Sequence, residues 1–303
     1  MRFVSAMNPS PHGMKPRLRD FINLTKPTIL LLVVLTGAAA LVLERSLLSD
    51  PLSFGLVLLG LAMTAGSANA LNQYFERDID AVMERTKRKR PLPLKNLSPK
   101  AAVVFAVSIG IGAVLLFGLF FNLLSAVLAF GTIIYYAFFY TLYLKPRLYQ
   151  NIVIGGAAGS MAPVIAWAAA TGGLNLTPWI LFLIIFFWTP PHFWALALCI
   201  KKDYERAGLP MLPVVKGDRE TARQILVYTL WMVGFSLALL FVRAGLVYLL
   251  CALVLNGVFV FKAYRLWRRG ALAEAWGLFG YSIVYLLVLF LGIMADAVWH
   301  KSL

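Results

Sequence analysis

An all-α membrane protein with about nine transmembrane helices is the fold class this sequence predicts, on three observations. The 303 residues are 61% hydrophobic and only 14% charged, whereas ordinary soluble chains are about 25% charged. Mean hydropathy is +0.80. Apolar runs long enough to cross a bilayer recur at roughly 27–43, 52–72, 101–121, 123–144, 152–170, 178–200, 224–242, 244–261 and 278–299. These are long uniform runs, not the short alternating segments of a membrane β-barrel. The spans are therefore helices.

Taken in order, residues 1–23 read as a polar tail with no apolar signal-peptide core, leading into an interfacial segment. Residues 24–303 are expected to form a single membrane domain. Span 2 carries no charge over 53–71 and runs directly into the polar loop 76–100. Spans 3 and 4 follow, then the short basic segment 145–147 and span 5. Span 6 contains Trp188-Thr189-Pro190-Pro191-His192-Phe193-Trp194. Two adjacent prolines there are expected to break or kink the helix and release backbone carbonyls. A second polar loop, 201–223, precedes the last three spans. An acid-rich loop thus follows span 2 and another follows span 6, as two related four-helix halves would require. The two cysteines, Cys199 and Cys251, suggest neither a metal site nor a disulfide framework.

The net charge of +15 looks like a nucleic-acid signal until the cations are placed. With the N-terminus cytoplasmic, 25 of the 28 Lys and Arg fall on inside segments; Arg45, Arg243 and Lys301 are the exceptions. That asymmetry puts the N-terminus inside and the C-terminus outside. The excess cations are accounted for by topology and by attraction to the anionic lipid bilayer, with no nucleic acid as partner.

Asn72, Glu76 and Asp80 stand at i, i+4 and i+8 where span 2 meets its loop. A helix continued past the span puts all three oxygen-bearing side chains on one face. Such a face can hold Mg²⁺ and, through it, a phosphate group that bare carboxylates would repel. The basic run Arg85-Thr86-Lys87-Arg88-Lys89-Arg90 supplies cations for the remaining phosphate oxygens. Asp218 and Glu220, by contrast, read as solvated loop residues. His192 reads locally either as a hydrogen-bond partner of a freed carbonyl or as a ligand or proton carrier. No Walker A loop, HExxH, GxSxG or CxxC is present, so nucleotide-loop, hydrolase and redox-thiol chemistry lack support. A secondary transporter would place ionisable groups near mid-membrane on broken helices. Here the acids of the two loops gather at the inner mouth.

Together these motifs resemble the UbiA-type intramembrane prenyltransferases. The run Asn72-x₃-Glu76-x₃-Asp80, with Met83-Glu84-Arg85-Thr86 and Arg90-Pro91-Leu92, looks like that family's first acidic motif. Leu24-Thr25-Lys26-Pro27, Tyr140-Thr141-x₂-Leu144-Lys145 and Asn151-Ile152-Val153-Ile154-Gly155-Gly156 fall in matching order. The span 6 run and the segment from Asp203 to Gly217 are similar to the heme-modifying branch of the family. The chain departs from the pattern in carrying Glu76 where Asp is usual and in a basic run one residue longer.

The resemblance implies a prenyltransferase domain over 24–303, its nine helices surrounding a central cavity open to lipid. It implies farnesyl diphosphate held through Mg²⁺ by Asn72, Glu76, Asp80 and Asp203. Arg85, Tyr140, Lys145 and Lys202 are implied at the diphosphate, with Arg88 and Arg90 as alternatives. It further implies attack by a vinyl group of protoheme IX, with His192 touching the heme. An aromatic or quinone precursor is the alternative acceptor. The implied setting is a prokaryotic plasma (inner) membrane with the site on its cytoplasmic side, and the implied partners are a heme A synthase or oxidase assembly proteins.

Overall fold

The computed structural model describes residues 17–299. Most of the expected polar tail, and Lys301 at the C-terminus, lie outside the described residues. Nine helical spans long and apolar enough to cross a membrane are present among them.

Helix α1 (Leu18–Thr25) is a short amphipathic segment, and Lys26, in the left-handed region at φ 56°, turns the chain into α2 (Pro27–Glu44). Span 2 is α3 (Pro51–Phe75), followed by the loop helices α4 (Arg77–Val82) and α5 (Glu84–Lys87). Proline opens each of α2, α3 and the next span, α6 (Pro99–Phe120), where its missing N–H is one the first turn leaves unbonded anyway. Asp50 and Ser98 cap α3 and α6 by accepting from Ser53 N at 3.1 Å and Ala101 N at 3.2 Å.

Span 4 begins as α7 (Leu123–Ile134), widens into a π-helical stretch, Tyr135–Leu144, and ends in the turn α8 (Lys145–Arg147). Span 5 is two pieces, α9 (Asn151–Gly159) and α10 (Ala162–Thr171). Their junction lies at Ser160–Met161, where Pro163 in the first turn of α10 starts a new helix. Neither irregularity shows in the hydrophobic pattern.

Span 6, α11 (Leu176–Cys199), contradicts the expected break: it runs through Pro190 and Pro191 as one helix. Thr189, Pro190 and Pro191 are all buried, and α9, α14 and α16 pack around the helix. Packing against these neighbours keeps the helix continuous although each proline lacks the N–H of one ladder bond. The chain continues through α12 (Lys201–Arg206), α13 (Leu212–Val215), α14 (Gly217–Ala238), α15 (Leu246–Arg269) and α16 (Leu272–Trp299).

The order of neighbours closes on itself. α2 packs on α3, α3 on α7 and the π-helical stretch, that stretch on α9, and α9 on α11. α11 then meets α14, α14 meets α15, α15 meets α16, and α16 returns to α2. Both polar loops leave the same end of this ring, because α3 and α11 each deliver an acidic segment there.

Candidate active site

The face predicted at the end of span 2 forms, by a route the periodicity alone did not specify. α3 stops at Phe75 and α4 starts at Arg77, yet the i to i−4 ladder survives the joint. Glu76 N donates to Asn72 O at 2.9 Å and Asp80 N to Glu76 O at 2.8 Å. Asn72, Glu76 and Asp80 therefore stay in register and are all buried. Asp78 points away, its side chain 87% exposed beside Arg77.

Three cations from distant parts of the chain close on this face. Lys145, at the foot of the π-helical stretch, donates to Glu76 Oε1 at 2.5 Å. Arg90 reaches back from the basic run to pair with Asp80 and lies 3.6 Å from Glu76 Oε2. Lys26 donates to Asn72 Oδ1 at 2.8 Å, and Asn72 Nδ2 donates to Thr141 Oγ1 at 3.1 Å. Lys26 and Thr141 belong to matched motifs but were not read as site residues. The available signal was a lysine set between an amphipathic segment and the proline that opens a span.

Burial sets the electrostatics. It pushes the Glu76 carboxyl up, but Lys145, Lys26 and Arg90 together outweigh it and hold the group below its ordinary value. Asp80 is raised, because burial and the neighbouring Glu76 charge exceed the pull of Arg90. Lys26 is lowered well below an ordinary lysine, first by burial and then by repulsion from Arg90 and Lys145.

The second loop joins through α5. Arg85 N donates to Asp203 Oδ2 at 3.1 Å, and Arg206 lies 3.6 Å from Asp203 Oδ1. The Arg85 Nε–H is buried with no hydrogen-bond partner among the described residues, a donor of the kind that awaits an anion. The Tyr140 ring stacks on Tyr136 at 5.1 Å and lies directly over Gly155, where an added Cβ would come within 2.1 Å of Tyr140 Cδ2. Glycine at 155 is what lets that ring sit there.

Two predicted positions fall elsewhere. Arg88 lines a separate polar cleft of about 520 Å³ with Arg17, Arg19 and Lys89, whereas Arg90 pairs with the acids. Lys202 is exposed, and Arg206 takes the place beside Asp203. Asp218 and Glu220, expected in a loop, lie in the first turn of α14, where acids suit the helix N-terminus, and pair near the surface with Lys201 and Arg223. His192 bonds to Ser282 of α16 and not to a freed carbonyl of its own helix.

The donors suit Mg²⁺ in kind: two carboxylates and an amide oxygen share one face, already gathered around positive charge. Among the described residues no three acidic, His or Cys side chains group closely enough to hold a metal ion by themselves. Mg²⁺ takes one or two carboxylates and fills its shell with water and substrate phosphates, so Glu76 and Asp80 are enough protein charge for it. The residues fit the ion in company with a diphosphate.

A ring of helical spans with acidic segments at one mouth, bridged to lysines and arginines, defines a class of intramembrane enzyme. Residues 31–295 match the UbiA prenyltransferase family, and the chain belongs to it. Over nearly its whole length the chain is similar to two protoheme IX farnesyltransferases. That of Erythrobacter litoralis is 45% identical over 293 residues, covering 95% of each chain. That of a Picosynechococcus species is 44% identical over 298 residues, covering 97% of this chain and 93% of the relative. Among solved structures, digeranylgeranylglyceryl phosphate synthase superposes with a TM-score of 0.76 at 18% identity, covering 93% of this chain and 99% of the other. A UbiA homolog from Archaeoglobus fulgidus bound to DMAPP and Mg²⁺ superposes at 0.66 and 15% identity, covering 90% and 99%. Both structures share the fold.

Proposed function

We infer that this protein transfers the farnesyl group of farnesyl diphosphate to a vinyl group of protoheme IX, giving heme O. The observation that carries the reading is the buried convergence of Glu76 and Asp80 with Lys145 and Arg90, in a chain about 45% identical to protoheme IX farnesyltransferases. An aromatic or quinone acceptor is disfavoured by that likeness, which extends over the span 6 run and the Leu209–Gly217 segment. Transport is disfavoured by the family.

On this reading Asn72, Glu76 and Asp80 would hold Mg²⁺; Asp203, expected as a fourth ligand, instead accepts from the Arg85 backbone N–H and steadies α5 beside them. The ion, when bound, neutralises the diphosphate and makes it a better leaving group. Lys26, Lys145, Arg90 and the free Nε–H of Arg85 supply the remaining donors, in a buried site where each is worth more than in water. The allylic C1–O bond breaks with its electron pair leaving on the diphosphate. Tyr136 and Tyr140 present π faces to the cation that remains, and the surrounding spans keep water from it. The vinyl π electrons close the new C–C bond. Water then adds to the cation next to the porphyrin and loses a proton, leaving a hydroxyethylfarnesyl side chain. We place His192 at the heme.

The protein is a multi-pass integral membrane protein. We place the site on the cytoplasmic side of a prokaryotic plasma (inner) membrane, as the distribution of Lys and Arg supports. We also propose hand-off of product to a heme A synthase or an oxidase assembly protein, to be tested by co-purification. The test of the reaction is pigment analysis of membranes expressing this chain. Conversion of heme B to heme O, dependent on farnesyl diphosphate, is the expected result; a prenylated aromatic acid with no heme O would overturn the acceptor assignment.

A further inference from the structure

His192 is held by side chains that no sequence pattern picked out. α11 and α16 pack together, and there Trp188 and His192 bond to Ser282 while His192 stacks on Phe279. The imidazole stacks on Trp188 at 4.4 Å, with planes 16° apart, and on Phe279 at 4.9 Å and 28°. Phe193 stands edge-on at 5.0 Å. These contacts restrict the tilt of the ring. One hydrogen bond then orients it: His192 Nδ1 lies 2.6 Å from Ser282 Oγ.

The serine decides which nitrogen carries the proton. Ser282 Oγ is 2.6 Å from the Phe279 carbonyl and donates to it. A hydroxyl has one proton to give, so with that proton committed it can only accept from the imidazole. Nδ1 is therefore the N–H, and Nε2 keeps its lone pair. The opposite tautomer would leave an N–H at Nε2 with no acceptor among the described residues, and orphaned N–H groups are rarer than under-used acceptors. The serine is itself anchored, since its carbonyl accepts Trp188 Nε1–H at 2.8 Å. Ser282 is fully buried, but His192 is only half-buried. No described residue hydrogen-bonds Nε2.

We propose that Ser282 is a positioning residue for the heme substrate: it holds the proton of His192 on Nδ1 and so presents the bare Nε2 as an axial ligand to the heme iron. A hydrogen bond to the far nitrogen is what fixes and strengthens a metal-bound histidine. The proposal rests on placing His192 at the heme.

The experiment titrates the full chain, in lipid nanodiscs, with ferric protoheme IX and follows the absorption and resonance Raman signature of imidazole ligation. Binding of a non-hydrolysable farnesyl diphosphate analogue is measured alongside. The wild type should ligate through one histidine. Ser282→Ala should weaken heme binding about tenfold, the lower end for losing such a partner, and shift the iron–histidine stretch, while analogue binding stays unchanged. Ser282→Thr should restore both heme signals. If Ser282→Ala does not insert, Ser282→Thr and Ser282→Val, alike in shape and different by one hydroxyl, make the same comparison. Loss of ligation in His192→Ala with wild-type affinity and spectrum in the Ser282 variants would overturn the role of Ser282 alone. Full ligation in His192→Ala would overturn the heme contact itself, and the proposal with it.

Discussion

The backbone N–H of Arg85 donates to Asp203 Oδ2 across 118 residues of chain, joining the loop after span 2 to the loop after span 6. This bond holds the two acidic segments side by side without a direct bond between their carboxylates. Because the bond uses the backbone N–H, the buried Nε–H of the Arg85 side chain keeps its donor capacity.

Asp80 is the most sensitive of the acids. Asp80→Asn keeps the volume, removes the partner of Arg90 and removes a charged oxygen from the metal face. Prenyl transfer should fall on the order of 100-fold or more, the scale of losing one preorganised charge-stabilising group. Membrane insertion should be unchanged. Glu76→Asp should retain part of the activity, since it keeps the charge. Near-normal turnover by Asp80→Asn at limiting Mg²⁺ would remove the site.

Two pairs of cations separate site from surface. Arg90→Ala and Lys145→Met each take a buried charge from Glu76 or Asp80. Each should raise KM for farnesyl diphosphate about tenfold or more, as hydrogen bonds to charged groups are worth ~1.5–3 kcal/mol. Arg88→Ala and Lys202→Ala alter exposed side chains and should change KM less than about twofold. Equal losses in both pairs would show that overall positive charge, not these contacts, holds the substrate.

Gly155→Ala tests the placement of Tyr140. The added methyl would press into the Tyr140 ring, and overpacking of this kind costs about 1–3 kcal/mol. The ring should be displaced and activity should fall about tenfold or more, with expression and insertion preserved. Gly131→Ala, where an added Cβ meets nothing within 4 Å, is the control.

The alkaline limb of the pH profile should report Lys26. Because burial and like charges lower its pKa, it loses its proton earlier on a rising pH scale than a free lysine would. Activity should therefore decline below the ordinary lysine range. In Lys26→Arg the charge persists, and the limb should move to higher pH even if maximal turnover drops. An unmoved limb would assign that titration to another group.

Topology follows from the cation count. Reporter fusions after residue 90 and after residue 215 should both read cytoplasmic, and a fusion at Leu303 should read external. A cytoplasmic C-terminus would mean the number of spans is wrong by one or another odd number.

Much of this protein is written locally. Spans are legible because a bilayer demands long apolar helices wherever the chain crosses it, and that requirement acts on consecutive residues. The register of Asn72, Glu76 and Asp80 is legible for the same reason, since helical geometry carries it across the joint at Glu76. What the sequence by itself could not determine depends on which helices become neighbours. Pro190 and Pro191 predict a break or a kink, and buried packing on α9, α14 and α16 keeps α11 from breaking. The π-helical stretch at Tyr135 and the split of span 5 at Ser160 leave no trace in a hydrophobic pattern. Pairing is likewise non-local: Arg90 over Arg88, Lys26 at Asn72, Arg206 beside Asp203, and Ser282 under His192 all depend on contacts between separate segments. Backbone hydrogen bonds within a helix span four residues, but the charges they deliver find partners only when the ring of helices closes.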